Sequence, residues 1–313
     1  MIGRRALGVW LAGWPAAAGA ASLADGLGRE LRLAAPPRRI VSLNGSAEAQ
    51  LLMLGVRPIG TNLIHRGYRA HMRWLLGDAA APAGVMNADW TPDAEAILAL
   101  DPELVITWSA DHAATLGRHV PVFVMPVLHS IADVRANLRA LGALLDRDAE
   151  AEAVIAAFDA RLAAYARLAP RRRTLMSVSF TGNRRYAFTA DSLLTEVLGT
   201  IAETRRVAPH ARLAWVEGGI ETIHRADPDA ILLIHWASAP QADAADAPVQ
   251  DRLWRRLRAV REGRVIPVNG FEALAFQSIP TAARLLDTVA PRLYPDIFPA
   301  ALDEARIMAP RGG

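Results

Sequence analysis

The apolar positions of this 313-residue chain fall into two alternating series separated by one long helical stretch. In the first series, short continuous apolar runs at residues 40–43, 58–62, 104–108 and 122–126 alternate with helical patterns at 47–54 and 93–100. Unbroken apolar runs of this length read as strands buried on both faces. Their alternation with helices predicts a parallel sheet covered on each side, and this series forms a first lobe over residues 37–128. The second series places strands at 174–180, 230–235 and 264–268 and helices at 193–198, 253–260 and 280–289, a second lobe over 172–300. The pattern therefore predicts an α/β fold of two lobes, each a mainly parallel sheet flanked by helices. The Ala-, Asp- and Pro-rich segment 237–248 reads as a surface loop.

Between the two series, residues 131–168 carry Leu138, Leu141, Leu144, Leu145, Val154, Ile155, Phe158 and Leu162 at helical spacing. Gly142 and the Asp146-Arg147-Asp148 step can bend or break this stretch. Two consecutive helices and one rigid helix joining the lobes both fit the pattern.

The N-terminus has a different character. Arg4 and Arg5 precede an apolar run from Ala6 to Ala21, and small residues then offer exits at Ala18-Gly19-Ala20 or Ser22-Leu23-Ala24. A basic start, an apolar middle and a small-x-small exit describe a signal peptide over residues 1–24, which predicts a periplasmic protein. The run is too short, and too broken by Gly and Pro, to span a bilayer as a helix.

Composition narrows the function classes. The chain is 52% hydrophobic and 21% charged, which supports a large buried core and argues against intrinsic disorder. All 35 basic residues are arginine and the formal net charge is only +3. No basic block is interleaved with aromatics in the manner of a nucleic-acid groove. Cysteine is absent, which removes disulfides, thiolate metal sites, a cysteine nucleophile and a lipid-modified cysteine anchor together.

No catalytic constellation assembles from the motifs. Asn44-Gly45-Ser46 lacks nucleophile-elbow spacing, and there is no phosphate-binding glycine loop and no His-Glu-x-x-His. The eight histidines stand singly rather than at metal-ligand spacing. Large side chains instead recur where predicted strands end, the place where open parallel sheets bind ligands. Trp108 closes its strand and leads to His112, while Trp236 and Phe271 follow later strands. Trp90 precedes the 93–100 helix, Tyr68 lies in the loop after the second strand, and Arg184 follows a Gly-Asn turn. Aromatic walls with a few arginine donors suit a bulky, partly apolar, anionic ligand.

Several segments resemble the periplasmic binding proteins for iron-siderophores, haem and cobalamin, over about residues 37–293. They are Pro37-Arg38-Arg39-Ile40-Val41-Ser42-Leu43, Leu54-Gly55-Val56-Arg57-Pro58-Ile59-Gly60 and Pro92-Asp93-Ala94-Glu95-Ala96-Ile97-Leu98-Ala99-Leu100-Asp101-Pro102 in the first lobe. In the second they are Ala226-Asp227-Pro228-Asp229-Ala230 and Arg261-Glu262-Gly263-Arg264-Val265. The resemblance implies two lobes joined by one long helix at 131–168, and a solute-binding rather than enzymatic role. It implies a ferric siderophore or similar chelate held between the lobes, with no resident cofactor because the chelator holds the iron. It further implies an inner-membrane ABC permease and its ATPase as partners, and action as a monomer. Family members dock through one glutamate on the outer surface of each lobe. Trp215-Val216-Glu217-Gly218-Gly219-Ile220-Glu221 matches the second-lobe motif at Glu221, and Glu48 is the first-lobe counterpart, offset by one residue from the commonest pattern. The segment around Trp108 and His112 resembles members that bind hydroxamate siderophores, although the arginine those members use at the first-lobe turn falls on Asp89. Cobalamin or haem on the same fold, an exported α/β hydrolase, and a sensor that binds protein rather than solute are the alternatives.

Overall fold

Continuous burial on both faces of a strand demands helices on either side, and the chain supplies them in alternation. In a computed structural model, residues 21–62, 73, 82–87, 89–169, 173–181, 185–189, 192–207, 215–235, 251–270, 273 and 277–299 are described. An antiparallel hairpin, β1 (Ala21–Ala24) with β2 (Glu30–Leu33), comes first. The first lobe then runs β3 (Ile40–Ser42), α1 (Gly45–Met53), β4 (Gly60–Thr61), β5 (Ala83–Gly84), α2 (Ala94–Ala99), β6 (Leu104–Thr107), α3 (Ala110–Leu116) and β7 (Val122–Val124). Its sheet is parallel throughout the described residues, in the order β5-β4-β3-β6-β7. Ile40, Val41, Leu104, Val105 and Ile106 in the two central strands are fully buried, as their unbroken apolar sequence requires.

Local capping explains where the helices begin. Asn44, Asp93 and Ser109 each turn a side-chain oxygen onto the first backbone N–H groups of α1, α2 and α3. Reciprocal Ser–Asp or Ser–Thr boxes start three later helices: α4 (Ile131–Leu145), α6 (Leu193–Leu198) and α9 (Ile279–Leu293).

The segment 131–168 differs from a single connecting helix. It forms α4 and a second helix, α5 (Asp148–Leu168), broken at Asp146, which takes a left-handed backbone with φ 55° and ψ 48°. The two helices fold back on one another. Arg135 of α4 pairs with Asp159 of α5, with its Nε 2.9 Å from Oδ1, and Arg139 pairs with Glu152 at 2.6 Å, so advancing along one helix means retreating along the other. Gly142 makes the close approach feasible: a Cβ there would lie 2.8 Å from Ala151 Cβ. The expected rigid link between lobes is thus a helical hairpin, of which α5 leads directly into the second sheet.

The second lobe comprises β8 (Arg173–Thr181), β9 (Arg185–Thr189), α6, β10 (Ala202–Thr204), β11 (Trp215–Gly218), α7 (Ile220–Ala226), β12 (Ala230–His235), a 3₁₀ turn at Trp254–Arg256, α8 (Arg258–Arg261), β13 (Val265–Asn269) and α9. Its order among the described residues is β11-β9-β8-β12-β13, with β10 beside the first half of β8. The antiparallel β8–β9 and β9–β11 pairings, the hairpin β1–β2, and helices α3 and α7 are additions to the elements read from the sequence.

One apolar cluster joins both lobes. It runs from Ile40 and Leu104 of the first sheet, through Leu138, Leu141, Ile155 and Phe158 of the helical hairpin, to Leu286 of α9 and to Leu175 and Ile234 of the second sheet. Inside this layer Arg161 of α5 is almost wholly buried and is ion-paired to Asp287 of α9. Tyr165 donates its hydroxyl to the same Asp287 oxygen at 2.6 Å. Among the described residues the Nε and Nη1 atoms of Arg161 have no hydrogen-bond partner, so the Asp287 carboxylate and the Tyr165 ring, 5.5 Å from the guanidinium, compensate a buried charge among apolar neighbours.

Removing that compensation is expected to be costly. Asp287→Ala should destabilise the protein by about 3 kcal/mol in urea denaturation, because the arginine stays buried and unpaired. Arg161→Met combined with Asp287→Leu should recover at least half of the loss. A neutral single substitution would mean that the pair constrains nothing.

Candidate functional site

In the first sheet the strand order reverses between β3 and β6, and ligands of open α/β sheets bind beyond the carboxyl ends at such a point. The pairing persists right up to the exit, where the Leu43 N–H donates to the Ile106 carbonyl at 2.8 Å. There the chain places aromatics in solvent. Trp108, the residue after β6, is 42% exposed, and Trp90 is 41% exposed. Their rings meet edge to face with centroids 6.4 Å apart and planes at 79°. His112, in the first turns of α3, lies beneath them at 8% exposure, with its ring 4.9 Å from that of Trp108.

Trp90 needs explanation because its φ of 67° is left-handed, a conformation that a bulky side chain adopts only under constraint. The constraint is visible around it. The Trp90 N–H donates to the Asn87 carbonyl at 3.1 Å, and the Asn87 N–H to the Thr91 carbonyl at 2.9 Å. Asp89 Oδ1 accepts from the Thr91 N–H at 3.1 Å and from its hydroxyl at 2.6 Å. Those hydrogen bonds, the hydroxyl's first, hold the Asp89 carboxyl below its ordinary range.

His112 completes the brace. Its Nε2 lies 3.2 Å from the Trp90 carbonyl oxygen, which can only accept, so Nε2 carries the proton. Its Nδ1 then accepts from the Thr107 hydroxyl at 2.9 Å. Both ring nitrogens are therefore engaged, and the imidazole ties β6, α3 and the Trp90 loop together. Burial pushes its pKa below the usual histidine value, outweighing the opposing pull of the Trp90 carbonyl and of Asp111. His112 positions the aromatic pair and has no free nitrogen to offer a metal or haem iron. Among the described residues no group of three or more His, Cys, Asp or Glu side chains could hold a metal ion.

Three of the residues picked out from the sequence, Trp90, Trp108 and His112, thus come together from positions up to 22 apart. Tyr68, Arg184, Trp236 and Phe271 lie outside the described residues. The strands leading to Trp236 and Phe271, β12 and β13, end side by side in parallel register, His235 opposite Asn269. Glu221 is exposed in the first turn of α7. Glu48 requires correction as a surface docking residue. It is 0% exposed, and its carboxylate accepts from the Thr61 hydroxyl at the end of β4. Ala49, the position of the commonest family pattern, is also 0% exposed, so neither residue of this helix presents a side chain to the surface. Sequence reasoning missed Thr107, whose only signal was a hydroxyl-bearing residue at the end of an otherwise apolar strand.

The brace makes a signed prediction. With its folded pKa lowered, His112 contributes stability that is fully present above about pH 6.5 and is lost as the pH falls toward the folded value. Urea unfolding at pH 7.5 and pH 5.5 should show a larger acid loss for the native protein than for His112→Gln. An equal loss in both would remove the histidine from the account.

Among the described residues, no helix is long and apolar enough to cross a membrane. Comparison with known proteins then places the chain. The family model described as "Periplasmic binding protein" matches residues 40–269. The structure of Staphylococcus aureus SirA complexed with staphyloferrin B superposes with a TM-score of 0.70 at 16% identity, covering 87% of this chain and 98% of that one. Vibrio cholerae FhuD, a siderophore binding protein bound to Fe3+-Desferal, gives 0.66 at 18% identity, covering 82% and 97%. A protein of an ABC-type Fe3+-hydroxamate transport system from Saccharomonospora viridis gives 0.65 at 20% identity, covering 85% and 98%. No curated protein sequence matches. The chain belongs to the periplasmic binding protein family, a family of exported solute-binding proteins rather than enzymes.

Proposed function

We propose that this protein captures a ferric siderophore, or a metal chelate of similar bulk, between its lobes and delivers it to the inner-membrane permease of its importer. The exposed Trp90–Trp108 pair at the switch point of the first sheet carries this reading. Two indoles left about 40% in water are an uncollected source of binding energy. Covering such rings brings hydrophobic gain and edge-to-face contacts with the ring systems or methylene arms of a ligand. A chelate carries its own iron donors, which suits a wall whose His112 imidazole is committed to internal hydrogen bonds. The ferric chelates bound to FhuD and related folds support the same substrate class. Haem or cobalamin is the competing ligand, and the engaged nitrogens of His112 count against haem ligation through that residue.

Delivery would use Glu221, exposed at the start of α7 and able to meet an arginine of the permease. The basic and apolar segment ahead of β1 would serve as the export leader, shorter than the expected 1–24 because residues 21–24 form a paired strand.

Tryptophan fluorescence of the purified protein tests the substrate class against ferric hydroxamate, ferric catecholate and ferric citrate chelates, haem, cobalamin and free zinc. Quenching by one ferric chelate at submicromolar concentration is expected. Trp108→Ala should weaken that binding at least about tenfold, equivalent to ~1.4 kcal/mol. A response to haem, cobalamin or zinc alone overturns the chelate reading. For delivery, Glu221→Arg should leave chelate affinity within about twofold, since the residue is a surface charge far from the aromatic pair in sequence. Uptake by cells carrying the cognate permease should nevertheless fall severalfold, and undiminished uptake would exclude Glu221 from docking.

A further inference from the structure

We propose that the leader is removed at the Ala20–Ala21 peptide bond, so that the mature chain begins with the first residue of β1. This rests on reading the N-terminal segment as an export leader. The sequence offers two exits, Ala18-Gly19-Ala20 and Ser22-Leu23-Ala24, and a peptidase that reads only two small side chains accepts either. The fold does not, because the four residues between the two bonds are a strand.

Strand β1 pairs with β2 along its whole length: Ala21 opposite Leu33, Ser22 opposite Arg32, Leu23 opposite Leu31, and Ala24 opposite Glu30. Leu23 and Leu31 both pack on the large apolar cluster that unites the lobes. Beyond β1 the chain turns through Asp25, which is nearly buried and saturated with donors. Its carboxylate accepts the N–H groups of Leu27 and Arg29, each at 2.9 Å, and the Arg29 guanidinium at 2.6 Å. It also reaches the N–H of Val124 in β7 at 3.4 Å. The Asp25 N–H itself donates to the Arg29 carbonyl at 2.9 Å, and the Gly26 N–H to the Val124 carbonyl at 2.7 Å. A Cβ on Gly26 would stand 2.8 Å from the Met125 carbonyl oxygen, so the turn lies against the backbone leaving β7.

The hairpin is therefore a structural part of the first lobe, fastened to the strand that leads into the helical hairpin. Cutting after Ala24 would delete β1 and strip Leu31 of its cross-strand partner. It would also place the new terminus in the sealed corner at Asp25. Cutting after Ala20 leaves β1 and all four of its pairs with β2 intact. The chemistry is simple hydrolysis: water supplies its hydroxyl to the Ala20 carbonyl and its remaining proton to the Ala21 nitrogen. A carboxylate is left on the leader and a free amine on the mature chain.

The experiment is to express the full chain with its own leader in a Gram-negative host and to determine the N-terminus of the periplasmic protein by Edman sequencing and intact mass. Ala21 is expected. A terminus anywhere from Ser22 to Asp25 overturns the proposal. A chain that keeps Met1 and stays in the cytoplasm overturns the leader reading instead, so the two failures are distinguishable. Ala20→Leu should block processing, whereas Ala24→Leu, at an exposed strand position, should leave it unchanged; the reverse pattern refutes the site. In parallel, a chain made directly from Asp25 should melt about 5 °C or more below one made from Ala21. Equal melting temperatures would show that β1 is dispensable and remove the structural reason for the choice.

Discussion

The architecture depends on burying a two-helix layer, α4 and α5, against both lobes at once. Leu138, Leu141, Ile155 and Phe158 lie in one apolar cluster with residues of each sheet, so the lobes share a core rather than meeting at a polar boundary. Opening them widely would expose that shared surface, at about 25 cal/mol for each Å² of apolar area returned to water. The Ile131 N–H, at the start of α4, also donates to Glu196 of α6 at 2.8 Å, a direct tie from the exit of the first lobe to the second. Lobe motion in such a molecule is confined to small rocking about a packed layer, unlike hinge-bending about extended strands.

That rigidity changes how the candidate site is read. A cleft between lobes that close only slightly must have its walls built before the ligand arrives. The aromatic pair proposed as the first-lobe wall meets this requirement: Trp90 is kept in a left-handed backbone by Asn87, Thr91 and the His112 Nε2–H, and Trp108 is set against it by the exit geometry of β6. Strained backbone of this kind persists only where its surroundings over-determine it, and a cost of order 1–3 kcal/mol is offset here by the buried Thr107–His112–Trp90 chain. Preorganisation of this sort lowers the entropy lost when a bulky ligand is ordered against the rings.

Charge around the aromatic pair also has a definite sign. Asp89, next to Trp90, is held ionised by Thr91, and Asp111 flanks His112. A chelate at this pair, as proposed, would meet indole faces beside a carboxylate. In the helical layer, buried Arg161 and Asp287 pin α5 to α9.

The fold class was legible in the sequence because continuous apolar runs and helical periodicity are local consequences of burial. Strand 230–235 and helix 193–198 were placed to the residue, and the two-lobe α/β division followed from their alternation. The aromatic positions at strand exits were legible for the same reason: a residue that ends a buried strand of an open sheet lands at its carboxyl edge. What the sequence left open was decided by contacts between distant segments. Whether 131–168 is one helix or two turned on Asp146 accepting a left-handed backbone and on Gly142 letting α5 pack against α4. Glu48 looked like a surface carboxylate, but its turn around α1 faces Thr61 on β4. The hairpin β1–β2 was hidden in what reads as the tail of a leader; its partner strand is close by, but the anchor that fastens it to the lobe, at Val124, lies 99 residues away. Local pattern determines which residues are buried and in what element; only the tertiary structure decides which buried faces meet, since that depends on pairings that no window of sequence contains.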